Sequence, residues 1–395
     1  MDTQPKNENE LENAERYVLY LIRCSLNGCT PTKEPVNCSW NQILYLAEKN
    51  SVTSMISPAV KEYKYDIPQD IREKIESALA RTVYRILRFQ IERENIFSAM
   101  EQCGIWYLPL KGILLAEYYP KAGMRWMCDN DILYGGSDLD MDWQIKQLKK
   151  IMKDLGYDAE HIGGVHDVYQ KKPFFNFEMH RKLVSADSPF AEYYKNPWKK
   201  AVLTEGKKCE YHFRDEDEYI FMLAHAYKHF DNSGCGIRTL ADEYVFLNKK
   251  DSMNWEYINK ELDKIGLISF EKELRKAACD TFSREGMITE TDWDMISYMF
   301  DSGTYGLKSN DIRHKLERIY VEAEQNHHNL NSAGIRRRYW KQRFYISDLV
   351  MKENYPFLYR HKRLRFVLPF YRVIKGLVIH PKTLYHEWKS VREFK

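Results

Sequence analysis

Apolar side chains recur at every third or fourth position through most of this chain, and the stretch where that rhythm breaks stands near its middle. LENAERYVLYLIRCSL and SWNQILYLAEKNSV both carry the helical spacing, the second after cap-type residues Asn37 to Ser39. Ile67-Pro68-Gln69-Asp70 opens a longer amphipathic run through Leu79, Val83, Ile86, Leu87, Phe89, Ile91 and Ile96. Residues 1–103 are therefore expected to form a helical bundle packed against the middle of the chain. From 104 to 195 the periods shorten. Ile105 to Leu110 suits a strand, Ile113 to Tyr119 a helix, and Ile132-Leu133-Tyr134 a second strand. Leu139, Trp143, Leu148, Ile151, Met152 and Leu155 predict a helix that stops at Gly156, with Ser137 as its cap and Asp138, Asp140 and Asp142 near its first turn. Phe174 to His180 alternates, so Phe175, Phe177 and Met179 should face a core and Asn176, Glu178 and His180 the other side. Helical spacing is expected again over 196–330, with Glu324 to Gly334 as a linker before a last region, 331–395. The fold class is α+β: a small mixed β-sheet core flanked by N- and C-terminal helical regions.

Composition adds boundaries. The chain has 395 residues, 44% of them hydrophobic, 30% charged and 14% aromatic, which describes a globular protein long enough for more than one domain. The opening MDTQPKNENELENAER has no basic-then-apolar leader, and the most apolar run, Phe366 to Ile379, is broken by Pro369, Arg372 and Lys375, so a cytoplasmic location is expected. Eight cysteines without a C-x-x-C pair predict free thiols rather than a zinc site. The small net charge of +3 hides an asymmetry: residues 331–395 carry 16 Lys/Arg against four Asp/Glu, and the preceding 330 carry 44 against 53.

Candidate chemistry concentrates in Leu108 to Tyr134. Asp129 and Asp131, at i and i+2 on an opening strand, would place two carboxylates side by side, an arrangement that a divalent cation relieves. Asp-Asn-Asp is also ordinary turn composition. Lys111-Gly112, at the start of a helix, could cradle phosphate: glycine allows close backbone approach and lysine adds a point charge. Cys128 adjoins the acids, whose charge disfavours its thiolate, so it is not expected to act as a nucleophile. The rival spelling Gly135-Gly136-Ser137-Asp138-Leu139-Asp140-Met141-Asp142 is assigned to helix capping. His225 and His229 share a helix face without the H-E-x-x-H acid and are expected to be structural. Arg238 and Asp242, four apart, are expected to pair, with a turn of Arg238 toward nucleotide phosphate as the alternative.

Leu110-Lys111-Gly112, then Arg125, then Asp129-x-Asp131-Ile132-Leu133 resembles the uncharacterised nucleotidyltransferase-like family of the DNA polymerase β superfamily. Glu178-x-His180 and Ile237-Arg238-Thr239-Leu240-Ala241-Asp242 match further signatures of that family, and Tyr355-Pro356, Leu368-Pro369 and Arg372 resemble its C-terminus more loosely. The resemblance implies a nucleotidyltransferase core using Mg²⁺ (or Mn²⁺) and an NTP. It implies Asp129, Asp131 and Glu178 as metal ligands and catalytic residues, with Lys111, Gly112, Arg125, His180 and Arg238 on the nucleotide side. The expected reaction moves a nucleoside monophosphate to an unidentified hydroxyl or phosphate acceptor. Two departures, Lys-Gly where the wider superfamily has Gly-Ser and Asn130 where the family prefers an apolar residue, leave open a catalytically inactive binding or scaffold protein.

The basic C-terminal region interleaves Arg336-Arg337-Arg338 and Lys362-Arg363-x-Arg365 with aromatics such as Trp340, Phe344, Phe357 and Phe366. Such a mixture suits an anionic membrane surface or docking on the acidic body. Docking with a residual exposed basic patch is expected, and nucleic acid ranks below both, since no RNA-binding module is recognisable.

Overall fold

The computed structural model describes residues 8–136, 138–326, 330–379 and 381–394. Helices α1 (Glu8–Asn27), α2 (Trp40–Lys49), α3 (Thr53–Glu62) and α4 (Gln69–Cys103) come first. Ser39 caps α2 through a reciprocal box with Gln42, and Pro68 precedes α4, where its missing N–H is not needed.

The sheet region comes next as β1 (Tyr107–Pro109), α5 (Gly112–Tyr118), β2 (Asn130–Tyr134), α6 (Met141–Asp154), β3 (Asp158–His161), β4 (His166–Lys171) and β5 (Phe175–His180). Strand order is β1-β2-β5-β4-β3, with β2 and β5 parallel and the other pairs antiparallel. β5 therefore lies at the centre, so its polar face is not that of an edge strand. One side of the sheet buries Tyr107, Ile132, Tyr134, Phe175, Phe177 and Met179 against Phe89, Ile96 and Met100 of α4 and Leu148, Ile151 and Met152 of α6. Each such side chain contributes about 1.5–3 kcal/mol by leaving water. The opposite side presents Leu108 and Leu133 to a second core and leaves the outward positions of β2, β5 and β4 for polar groups. α6 is capped by Asp140, whose carboxylate accepts from Trp143 N–H; Ser137, the expected cap, lies outside the described residues.

The helical rhythm expected from residue 196 starts later. A two-stranded sheet, β6 (Ala201–Leu203) with β7 (Tyr211–Phe213), intervenes before α7 (Asp215–Asn232). Then come α8 (Arg238–Lys249), α9 (Trp255–Lys264), α10 (Ile268–Phe282), α11 (Glu290–Ser302) and α12 (Lys308–Gln325). The helices on either side of the sheet share one core: Val18, Ile22 and Met55 pack in the same cluster as Leu240, Leu274 and Phe300.

The basic region forms α13 (Ser332–Phe344), α14 (Asp348–Asn354), α15 (Pro356–Arg360), α16 (Val367–Ile379) and α17 (Pro381–Glu393). The expected linker shrinks to the few residues between α12 and α13, of which 327–329 lie outside the described residues. Pro369 sits in the first turn of α16 rather than in a separate turn; no intrahelical N–H is required there. Ile335, Tyr339 and Val391 pack against Ile312, Leu316 and Ile319 of α12, so apolar contact holds this region to the body. Among the described residues one ion pair joins the two, Arg338 to Glu322 at 2.8 Å; Arg343, Arg365 and Lys389 pair with the region's own Glu387, Asp348 and Glu393. α16 leaves one face in solvent, with Phe370, Ile374 and Val378 exposed by 66%, 60% and 74%. Among the described residues no helix is long and apolar enough to cross a membrane.

Candidate functional site

Backbone register assembles the site. Asp131 on β2 stands opposite Glu178 on the parallel β5, so two residues distant in sequence project from the same face of adjacent strands. His180, two places beyond Glu178, shares that face, and its Nε2 lies 2.7 Å from Asp131 Oδ1. His166 on β4 stands opposite His180 and completes the row. Asp129, the residue before β2, adjoins Asp131 closely enough to feel its charge. Asp129, Asp131, Glu178 and His180 thus occupy one neighbourhood. The tightest convergence of donor atoms found among the described residues is His166, Glu178 and His180, with one atom from each within 4.8 Å of the others.

The electrostatics reflect crowding. Burial, and then the Asp131 charge, raise the Asp129 carboxyl above its ordinary range, while Lys111 pulls the other way. Burial, Asp131 and Asp129 push Glu178 up to about 7. Asp131 is also buried, but Lys111 and the His180 hydrogen bond hold it well below the usual carboxylate range. Lys111 Nζ is 3.4 Å from Asp131 Oδ2. The lysine sits at φ 43°, ψ −106°, an uncommon backbone for a residue with a Cβ and a strain of the kind that functional turns hold.

Several supports come from distant residues. Arg85 of α4 donates to the carbonyls of Met127, Cys128 and Phe174, tying the segment before the Asp pair to the start of β5. Asn130, the polar residue between the two acids, points to the opposite side of the sheet, where its Oδ1 accepts from the buried Arg93 at 2.8 Å. That bond accommodates a polar side chain inside a fully buried strand.

Arg125 does not face the carboxylates. It is buried and makes a two-pronged ion pair with Asp242 of α8, Nε to Oδ1 at 2.7 Å and Nη2 to Oδ2 at 2.9 Å, while Tyr119 donates to the same carboxylate. Burial opposes the guanidinium charge, yet Asp242 more than offsets this and holds it above its ordinary range. Its Nη1 lies 3.0 Å from where a Cβ on Gly112 would be, so a side chain at that position would crowd the guanidinium. The expected Arg238–Asp242 pairing is thereby corrected: Arg125 takes Asp242, and Arg238 instead donates to the Trp126 carbonyl at 3.0 Å. Arg238 remains near enough to Asp129 to favour its charge.

α7 brings His225 and His229, expected to be structural, into the field of Lys111 and Asp131. Burial, then Lys111, depress the His225 imidazole far below its usual range, and burial, then Lys228, lower His229 to about 4. Asp131 acts on both. Neither imidazole forms a hydrogen bond or ion pair among the described residues. The Lys228 ammonium reaches the field of Lys111, Asp131, Asp187 and Glu178. It also lines a cavity of about 710 Å³ with Ser185, Asp187, Tyr305, Lys315 and Arg318. Cys128 accepts from the Trp126 indole and contacts the Tyr305 hydroxyl, and all eight cysteines are free.

A protein-family model described as an uncharacterised nucleotidyltransferase matches residues 37–282, more than half of the chain. No curated protein and no solved structure matches it.

Proposed function

We propose, from the premise that this chain belongs to the family of uncharacterised nucleotidyltransferases, that it moves a nucleoside monophosphate from an NTP to a hydroxyl or phosphate acceptor. The observation that carries this reading is the register of Asp131 against Glu178, with Asp129 beside them. Asp131 and Glu178 on one face, with the charge of Asp129 acting on both, form a cluster of negative charge that a divalent cation would relieve. Asp129, Asp131 and Glu178 would hold Mg²⁺ or Mn²⁺, and such an ion screens the triphosphate and polarises its reacting phosphorus. Lys111, Lys228 and Arg238 supply positive charge around those acids, suited to phosphate oxygens. Glu178, facing Asp131 at the same site, would also accept a proton from the acceptor hydroxyl. His180 orients Asp131 through its 2.7 Å contact. Gly112 contributes by letting Arg125 brace the turn that carries Lys111.

Calorimetry of the full chain with Mg²⁺ and each NTP tests the assignment. Binding should be seen for at least one NTP and be lost in Asp129→Asn/Asp131→Asn. Equal binding by wild type and variant would remove the carboxylates from the site.

A second reading, a non-catalytic binding or scaffold protein, draws on Asp131 being already engaged by Lys111 and His180. Against it stands the placement of Glu178 facing Asp131 rather than away. NTP binding without pyrophosphate release across a panel of hydroxyl and phosphate acceptors would favour the scaffold.

For the basic region we propose an anionic membrane surface as partner. Arg363, Lys375 and Lys382, all exposed, lie before, within and after α16 in the chain, and the region's surplus of positive charge complements anionic headgroups. A second copy of the same face would bring like charges together. Co-sedimentation with phosphatidylserine-containing vesicles should be strong at low salt and fall as the Debye length shrinks from about 10 Å at 0.1 M to about 3 Å at 1 M. Phe370→Glu/Ile374→Glu should abolish it; unchanged binding by that variant would overturn the proposal. Free thiols suit the reducing cytoplasm proposed as its compartment.

A further inference from the structure

We propose that His166, Glu178 and His180 form a cation site of their own, beside the Asp129–Asp131 pair, that takes a borderline divalent ion of the Mn²⁺-to-Zn²⁺ kind in preference to Mg²⁺. The proposal deepens the nucleotidyl-transfer reading, since Glu178 would serve both positions.

The backbone brings the three residues together. His166 and His180 are cross-strand partners on the antiparallel β4–β5 pair, and Glu178 lies two residues before His180 on the same face. One donor atom from each lies within 4.8 Å of the other two. Glu178 Oε2 is 3.5 Å from His166 Nε2 and 3.7 Å from His180 Nε2. The two rings lean together, centroids 4.8 Å apart and planes at 39°. Two imidazoles and one carboxylate converging on a point make a donor set that leaves coordination positions open for a ligand. Mg²⁺ prefers an all-oxygen, octahedral shell with several waters, so two nitrogen donors select against it.

The protein alone does not satisfy these histidines. His180 is 5% exposed, and Nδ1 of both rings is buried with no hydrogen-bond partner among the described residues. An orphaned ring nitrogen in a dry site is costly, and it persists where another interaction of the ring offsets it. Asp131 Oδ1 meets the same His180 Nε2 that faces Glu178 Oε2, so a bound cation would take that nitrogen from Asp131 and return the carboxylate to the neighbouring pair. His166 also lines a cavity of about 290 Å³ with Gly163, Ser185, Asp187 and Asn354, so the His166 end of the row is open to a bound molecule. A hydroxyl or phosphate oxygen entering there could complete the shell.

Calorimetry on the nucleotide-free full chain with Zn²⁺, Mn²⁺ and Mg²⁺ tests this, together with the visible spectrum of the Co²⁺-loaded protein. His166→Ala and His166→Asn should each weaken Zn²⁺ binding by at least about tenfold, and Asp129→Asn should leave Zn²⁺ binding within about twofold. The Co²⁺ bands should show nitrogen and oxygen donors without thiolate charge transfer. The side chain of His166 is 34% exposed, and the asparagine variant keeps a polar group there, which guards against loss through misfolding. Wild-type Zn²⁺ affinity in both His166 variants, or loss of Zn²⁺ binding in Asp129→Asn, would overturn the proposal. The transfer reading fails by a different result, Mg²⁺–NTP binding that is indifferent to Asp129→Asn/Asp131→Asn.

Discussion

Replacing Arg125 by alanine separates two roles that its place in the sequence cannot distinguish, phosphate ligand and internal brace. Arg125 and Asp242 are 7% and 6% exposed and joined by two short bonds, with Tyr119 as the carboxylate's remaining donor. Removing the guanidinium leaves Asp242 buried with one hydroxyl for company, and breaking a buried pair in this way costs about 3–5 kcal/mol. A chain of this length should have a urea m-value toward ~3 kcal/mol/M or above, so the unfolding midpoint should fall by roughly 1–1.5 M. The brace is a pairing rather than a charge requirement. Arg125→Leu/Asp242→Leu should therefore recover most of the loss, because apolar replacement of a buried pair is often neutral. Urea titration followed by circular dichroism, with Mg²⁺–NTP calorimetry on the folded fraction, reads both quantities. The reasoning is refuted if Arg125→Ala loses less than about 1 kcal/mol while NTP affinity drops tenfold or more, for then the arginine is free to serve phosphate.

Three further outcomes are expected. Lys228→Ala should weaken NTP binding by about tenfold and leave stability within ~0.5 kcal/mol, since the side chain is exposed and has no ion-pair partner among the described residues; unchanged affinity would remove α7 from the site. Glu243, held at about 8 by burial with Glu271 adding to it, has a folded pKa above its ordinary 4.5, so its stabilising contribution is complete below pH 4.5 and is lost as pH rises through 8. Glu243→Gln should match wild type near pH 4.5 and exceed it by roughly 2–4 kcal/mol above pH 8, and a pH-independent difference in urea unfolding would contradict that. Leu316→Ala should cost about 2–5 kcal/mol locally and speed proteolysis between α12 and α17, because Leu316 joins Ile335, Tyr339 and Val391 in the cluster that holds the basic region; an unaltered digestion rate would count against that anchoring.

The amino-acid sequence by itself determined the features whose cause is local. Capping at Ser39, the long α4 after Pro68, and the alternation of β5 depend on residues within a turn or a strand of one another. The Asp129-x-Asp131 pair and Glu178-x-His180 were legible for the same reason: spacing of two on a strand means one face, whatever the strand later pairs with. The tertiary structure decided which of these faces meet. Asp131 and Glu178 become neighbours only because β5 adds in parallel beside β2, and His166 joins them only because β4 pairs back on β5, a strand that its own sequence did not announce. The same holds for the partners of the arginines. Arg125 was as well placed in sequence to reach phosphate as to reach Asp242, 117 residues later, and Arg85 gave no hint that it would hold the carbonyls of Met127, Cys128 and Phe174. Periodicity reports which side of an element is apolar. It carries no information on register between distant strands or on the choice among several buried carboxylates, since those depend on packing free energies summed over the whole core.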